Sequence, residues 1–76
     1  MSVRVDGGRL REAREDADLS QRELAERASV SADTILRMEA GEGGAYGRTV
    51  RKIAKALNME YEDLLYGANR GKVLAR

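Results

Sequence analysis

The chain has 76 residues, of which 42% are hydrophobic and 36% charged, and 14 basic against 13 acidic residues leave a net charge of +1. This length accommodates one small domain, and the charge lacks the strong basic excess that usually marks a nucleic-acid-binding domain. The absence of Cys and His excludes disulfides, thiolate or imidazole metal sites, and catalysis by either side chain.

Four hydrophobic staples mark where helices begin. In each, one apolar residue precedes the N-cap residue, and a second apolar residue lies five positions after the first apolar residue. The pairs are Val5 with Leu10, Leu19 with Leu24, Val30 with Ile35, and Met59 with Leu64. Asp6, Ser20 and Ser31 carry side chains that cap a helix N-terminus well, whereas Glu60 is a poorer cap. Ser20 also forms a capping box with Glu23.

One more helix follows from the spacing of Val50, Ile53, Ala54 and Leu57, which lie at i, i+3, i+4 and i+7. Gly41 and Gly67 suit the left-handed position after a helix. We therefore predict an all-α fold of five short helices, at about 7–17, 21–28, 32–40, 47–57 and 61–66, within a domain of residues 1–67. No stretch alternates like a strand.

Only three residues, 29–31, separate the second and third predicted helices. Two interpretations of this tight turn remain open: a helix-turn-helix that recognises DNA, or an ordinary helix pair in a small bundle. An apolar seam joins the two helices, and Ala25 is small enough to let them cross closely. The seam consists of Leu24, Ala25, Ala28, Val30, Ile35 and Met38.

The segment 19–41 resembles the lambda-repressor/Cro-type (XRE) helix-turn-helix family. It has nearly every fixed position of the pattern L-S-Q-x-x-L-A-x-x-A-x-V-S-x-x-T-I-x-x-[IM]-E-x-G, and the resemblance extends over about residues 5–66. It implies a five-helix lambda-repressor-like bundle, with the helix-turn-helix at about 20–40. It also implies a sequence-specific transcriptional regulator, expected to be a repressor, that reads a pseudo-palindromic operator in the major groove as a homodimer.

The resemblance implies a set of DNA-contacting residues on the second, third and fourth helices. They are Gln21, Arg22, Ser31, Ala32, Asp33, Thr34, Arg37 and Arg48. In this family geometry the N-terminal part of the third helix reaches base edges. Gln21 and Arg22 would contact phosphate, and Thr34 would lie near the backbone.

The three residues that the resemblance places toward bases each keep more than one interpretation. Arg37 would pair with guanine O6 and N7, contact phosphate without carrying sequence information, or be an ordinary solvated surface arginine. Asp33 would accept a hydrogen bond from cytosine N4, or disfavour binding to incorrect DNA sites. Ala32 would touch a thymine methyl, or only leave room for the base. The resemblance also implies a structural pair between Arg14 and Glu39.

The sequence departs from the family pattern in two places. Segment 41–47 has four glycines and one acid but neither Pro nor a basic residue, so Arg48 and Arg51 would supply the charge that this loop lacks. Leu36 stands where the family often has a small polar residue, and it would contact a thymine methyl or be an ordinary exposed leucine.

The C-terminal segment 68–76 carries Arg70, Lys72 and Arg76 and has no acidic residue. It would be an arm on the DNA backbone, an added dimer contact, or a frayed and solubilising end. These three interpretations stay open.

The alternative to a DNA-binding regulator is a protein-interaction module, or an antitoxin component, with the same fold. The sequence offers no general base, nucleophile or group of metal ligands that would come together in one site, so we expect neither an enzyme nor a cofactor. No apolar run reaches the roughly 18 residues of a membrane helix, and no signal-peptide core is present. We therefore expect a cytoplasmic protein without membrane contact.

Overall fold

The computed structural model describes residues 2–42 and 44–67. Within them, helices α1 (Gly7–Asp16), α2 (Gln21–Ala28), α3 (Ala32–Glu39) and α4 (Gly47–Ala56) surround one core, and a 3-10 helix spans Tyr61–Leu64. Strands β1 (Ser2–Val3) and β2 (Ala45–Tyr46) precede α1 and α4. The basic segment 68–76 lies outside the described residues, so the structure tests none of the three interpretations of it.

The side chains that were predicted to cap helices do so. Asp6 accepts from the backbone N–H of Arg9, and Ser31 accepts from that of Thr34 at 3.1 Å. Ser20 and Glu23 form the predicted capping box, with the Glu23 carboxylate accepting from Ser20 N at 2.8 Å. This hydrogen bond to the ionised carboxylate lowers the pKa of Glu23. The helix starts were therefore correct because capping depends only on residues close in sequence.

The prediction of a fifth α-helix over 61–66 is wrong. Only four residues there are helical, in a 3-10 turn, and Glu60 makes no side-chain cap bond. Leu65 is already extended, at φ −84° and ψ 143°, and forms an antiparallel bridge with Val5. The helix ends early because the chain turns to pair with the N-terminal segment.

The all-α fold is confirmed, but the same N-terminal segment adds a short strand pairing that the sequence did not predict. Strand β1 pairs antiparallel with β2, placing Ser2 opposite Tyr46 and Val3 opposite Ala45. On its other side, the carbonyl of Arg4 accepts from Tyr66 N at 2.9 Å. Two-residue strands are too short to show an alternating sequence pattern. Residues 2–5 therefore connect the segment before α4 with the segment after the 3-10 helix.

The core is aliphatic, with one methionine, and the described part has no buried polar or charged residue. The predicted seam is present between α2 and α3: Leu24, Ala25, Ala28, Ile35 and Met38 are buried, and Val30 packs against them half-buried. Six side chains are fully buried: Leu10, Leu24, Ile35, Val50, Ile53 and Leu64. None of the helices in the part of the chain that the structure describes is long and apolar enough to cross a membrane.

Candidate nucleic-acid interface

The turn between α2 and α3 reverses the chain in three residues. Ser29 adopts the left-handed conformation, at φ 58° and ψ 44°, and ends α2. Val30 N then donates to Ala25 O at 2.9 Å, and Ser31 caps α3. Ala25 is 2% exposed, as expected of a small residue where two helices cross closely. The two helices are thus held at a fixed angle by a short, hydrogen-bonded turn.

Helix α3 presents one solvent-exposed face, opposite the buried Ile35 and Met38. The exposed residues on it are Ala32, Asp33, Leu36 and Arg37, and the exposed C-cap residue Ala40 continues the face just after the helix. The three predicted base-facing residues therefore lie together on this face, as helical periodicity requires.

Ser31 and Thr34 lie at the N-terminal end of α3 and bind each other. Their hydroxyl oxygens are 2.8 Å apart, and Ser31 Oγ also accepts from Thr34 N. Thr34 is half-buried, whereas Ser31 is exposed. Both side chains thus stabilise the first turn of the helix from which any base contact would be made.

Arg37 lies between two carboxylates. Its Nη1 is 3.6 Å from Asp33 Oδ2, one turn back on α3, and its Nε is 3.8 Å from Glu42 Oε1 in the following loop. All three side chains are well exposed, so water screens these pairs and each stabilises the fold little. The guanidinium can therefore exchange its carboxylate partners for another acceptor at low cost.

Glu39, at the C-terminal end of α3, is bound by residues from two other helices. Arg14 of α1 donates Nε to Oε2 at 2.6 Å and Nη2 to Oε1 at 3.1 Å. The two side chains are only 12% and 6% exposed, and the hydrogen bond to Glu39 raises the pKa of Arg14 above its already high ordinary value. The predicted structural pair is therefore present, and Arg14 stays charged.

Gln21, the first residue of α2, donates Nε2 to Glu39 Oε1 at 3.1 Å. The resemblance implied a phosphate contact for Gln21, and in the structure its amide joins α2 to α3. Arg22 beside it is exposed. The start of α2 and the end of α3 thus form one connected polar cluster, made of Arg14, Gln21 and Glu39.

Gly7, the first residue of α1, has a role that was not predicted from the sequence. A Cβ at this position would lie 2.5 Å from the carbonyl oxygen of Glu39 and 2.6 Å from that of Met38. Real Cβ atoms do not approach backbone that closely, so only glycine lets α1 start against the end of α3. The available sequence signal was two glycines opening a helix, where residues with better helix propensity are usual.

Arg48, predicted to contact DNA, lies in the first turn of α4. It is exposed, and its guanidinium carbon is 5.6 Å from the centroid of the Tyr46 ring. Strand β1 pairs with β2 just before α4, and a Cβ at Gly44 would lie 3.0 Å from Ser2 Cβ. Arg51, the other basic residue proposed for this region, lies over the ring of Tyr61 at 4.1 Å.

A scan against protein families identifies this arrangement. The profile described as "Helix-turn-helix domain" matches residues 7–65. The chain belongs to this helix-turn-helix family. The match begins at the first residue of α1 and ends just after the 3-10 helix, so it includes every described helix. The family is non-enzymatic, in agreement with the prediction that this chain is not an enzyme.

Among curated proteins, the chain is similar to the HTH-type transcriptional repressor RghR of Bacillus subtilis. The two are 41% identical over 63 residues, which is 82% of this chain and 47% of the relative. The chain thus spans about half the length of the curated relative that it matches.

Two solved structures show the same fold at useful identity. One is the restriction-modification controller protein C.AhdI from Aeromonas hydrophila, at 32% identity and a TM-score of 0.74, covering 78% of this chain and 89% of that one. The other is the P22 c2 repressor in complex with a synthetic operator, at 28% identity and a TM-score of 0.76, covering 86% and 98%. The helix-turn-helix fold expected from the sequence is therefore confirmed.

Proposed function

We propose that this helix-turn-helix protein is a cytoplasmic, sequence-specific transcriptional repressor that places α3 in the major groove of DNA. The observation that carries the proposal is the single exposed face of α3, which presents Arg37 to solvent while Glu39 anchors the helix from behind. The relatives named as repressors, one of them bound to an operator, support the same conclusion.

The proposed contacts fall into two groups. Ala32, Asp33 and Arg37 face base edges. Phosphate contacts come from the N-terminal ends of the helices, where free backbone N–H groups and the positive end of the helix dipole favour anions. These contacts involve Gln21, Arg22, Ser31, Thr34 and Arg48.

Arg37 supplies the principal base contact. The planar guanidinium forms two parallel hydrogen bonds with guanine O6 and N7, which discriminates against another base by about 1–3 kcal/mol. Asp33 and Glu42 hold the guanidinium near the exposed face before DNA binds. On binding, the guanine edge replaces these two carboxylates as acceptor.

The proposed assembly is a homodimer on a pseudo-palindromic operator. A domain of this size covers one half-site, and two-fold symmetry of the protein matches that of the DNA. The half-sites then lie about one helical turn, or 34–36 Å, apart. Since the net charge is only +1, binding rests on a few placed groups, and sequence-independent affinity is weak.

The test is selection of binding sites from random-sequence duplex DNA, with the stoichiometry of the complex measured on the winning sequence. We expect an enriched palindrome that binds two chains. Arg37→Ala should weaken binding at least tenfold, in line with the loss of a bidentate base contact, and Gln21→Ala should also weaken binding, through the loss of a phosphate contact. Arg11→Ala is the matched control, because Arg11 is equally exposed and pairs with Glu15 one turn away at 3.1 Å.

A selection without any enriched sequence would contradict the proposal, and so would unchanged affinity in the Arg37→Ala variant. The second candidate function, a protein-interaction or antitoxin module, is motivated by the near-neutral charge and by Glu42 beside Arg37. It predicts weak, sequence-independent DNA binding together with stoichiometric binding of a protein partner.

A further inference from the structure

The exposed face of α3 consists of two parallel stripes of different chemistry. Asp33 and Arg37 form a charged stripe, joined by their ion pair. Ala32, Leu36 and Ala40, each one turn from the next, form an apolar stripe beside it, and all three are exposed. Of the two stripes, only the charged one has side chains that can form hydrogen bonds with bases.

Leu36 is the most prominent member of the apolar stripe. It is 52% exposed, and the described part of the chain exposes only two other large hydrophobic residues, Tyr46 and Tyr66. Each of these tyrosines has a guanidinium over its ring, from Arg48 at 5.6 Å and Arg4 at 4.8 Å. Leu36 is aliphatic and adjoins Arg37, so its exposed surface lies where the proposed function places the bases.

We propose that Leu36 is a specificity-determining residue that recognises the C5-methyl group of a thymine in the operator. This inference rests on the proposed function. The thymine methyl is the apolar group that B-DNA presents on base edges in the major groove. A leucine beside a base-reading arginine matches it in chemistry, and Ala32, one turn earlier, leaves space for an adjacent base.

Helix geometry sets where this thymine lies. Leu36 and Arg37 are consecutive residues, and α-helical residues rise about 1.5 Å each, whereas base pairs are about 3.4 Å apart along the duplex. The thymine therefore lies within one or two base pairs of the guanine that Arg37 contacts. Cytosine is disfavoured at the thymine position. Its N4 amino group would lose its water against Leu36, which offers no hydrogen-bond acceptor in return.

The test replaces thymines of the selected operator, one at a time, with deoxyuridine, which removes the methyl group and leaves the hydrogen-bonding edge unchanged. One of these replacements should weaken binding by the wild-type protein about fourfold, the effect of removing one buried methyl group. In Leu36→Ala, the same replacement should change affinity less than 1.5-fold. Leu36→Met, which retains an apolar side chain of similar volume, should keep most of the methyl effect.

Three outcomes distinguish the hypotheses. Failure of the wild-type protein to select any operator would overturn the proposed function and this inference with it. Selection of an operator whose deoxyuridine forms bind like the thymine form would overturn only the role of Leu36. Equal deoxyuridine effects in wild type and Leu36→Ala would also overturn only this role. Circular dichroism of Leu36→Ala should show an unchanged fold, because the residue is exposed and alanine favours helix.

Discussion

The guanidinium of Arg14 and the carboxylate of Glu39 form a two-point ion pair that joins the first helix to the end of the exposed recognition face. The distances are 2.6 Å from Nε to Oε2 and 3.1 Å from Nη2 to Oε1. Gln21 donates to the same carboxylate. A single glutamate thus sets the position of α3 relative to both α1 and α2.

Replacing one partner of this pair should destabilise the fold strongly. Arg14→Met leaves the Glu39 carboxylate, which is 6% exposed, without its cation, and we expect a loss of about 3 kcal/mol in the free energy of unfolding. The double variant Arg14→Met, Glu39→Met should recover most of this loss, since an apolar pair of similar volume needs no charge compensation. Urea denaturation measures both. A double variant no more stable than Arg14→Met would contradict the explanation.

The two glycines at the start of α1 should respond oppositely to alanine. Gly7→Ala would place a Cβ against the carbonyls of Met38 and Glu39, and we expect a destabilisation of about 1–3 kcal/mol, as in overpacked cores. A Cβ at Gly8 would meet only Asp6 Oδ1, at 3.6 Å. Gly8→Ala should therefore stabilise the helix by about 0.5–1 kcal/mol. Thermal unfolding of the two variants side by side is the measurement, and equal effects would refute the close approach at Gly7.

The capping box should make stability depend on pH through Glu23. Because its pKa is lowered in the folded state, the ionised carboxylate contributes stability above its unfolded pKa of about 4.3. This contribution disappears as the pH falls through the lowered folded value. Glu23→Gln retains an oxygen acceptor but not the charge, so its Tm should lie below that of wild type at pH 7 and converge with it in acid. A constant Tm difference across this range would contradict the assignment.

Removing the carboxylate beside Arg37 should strengthen sequence-independent DNA binding. Glu42 Oε1 is 3.8 Å from Arg37 Nε, and its charge opposes the approach of phosphates. For Glu42→Gln we expect about fivefold tighter binding to a random duplex at low salt, consistent with roughly 1 kcal/mol for a charge interaction in water. Fluorescence anisotropy over a salt series measures this.

The matched control for this prediction is Glu15→Gln. It removes the same charge from an exposed pair with Arg11 on α1, away from α3 and the loop that follows it. If the control tightens binding as much as Glu42→Gln does, net charge rather than position accounts for the effect.

The sequence predicted the parts of the fold that depend on neighbours along the chain. The caps at Asp6, Ser20 and Ser31 and the positive φ of Gly41 arise from side chains and backbone within a few residues. The aliphatic core followed from helical periodicity. Part of the site could be predicted in the same way, because the exposed face of α3 is set by the spacing of its residues.

Contacts between distant segments could not be predicted in this way. Residues 61–66 have a staple, yet the pairing of Leu65 with Val5 ends the helix after four residues. Strand β1 pairs with β2, which lies far along the chain just before α4. Neither relationship has a signature in local sequence.

The composition, with a net charge of +1 and neither Cys nor His, determined what chemistry is available: aliphatic packing and a few arginines instead of a broad basic surface. Local patterns then determined where the first three helices begin, since capping acts over less than two turns, whereas the start of α4 has no side-chain cap to mark it. The tertiary structure decided which of those arginines pack inside the fold. It leaves the Arg14 side chain only 12% exposed beside Glu39, the partner that the family resemblance implied, and leaves that of Arg37 63% exposed, because burial depends on which segments meet in space.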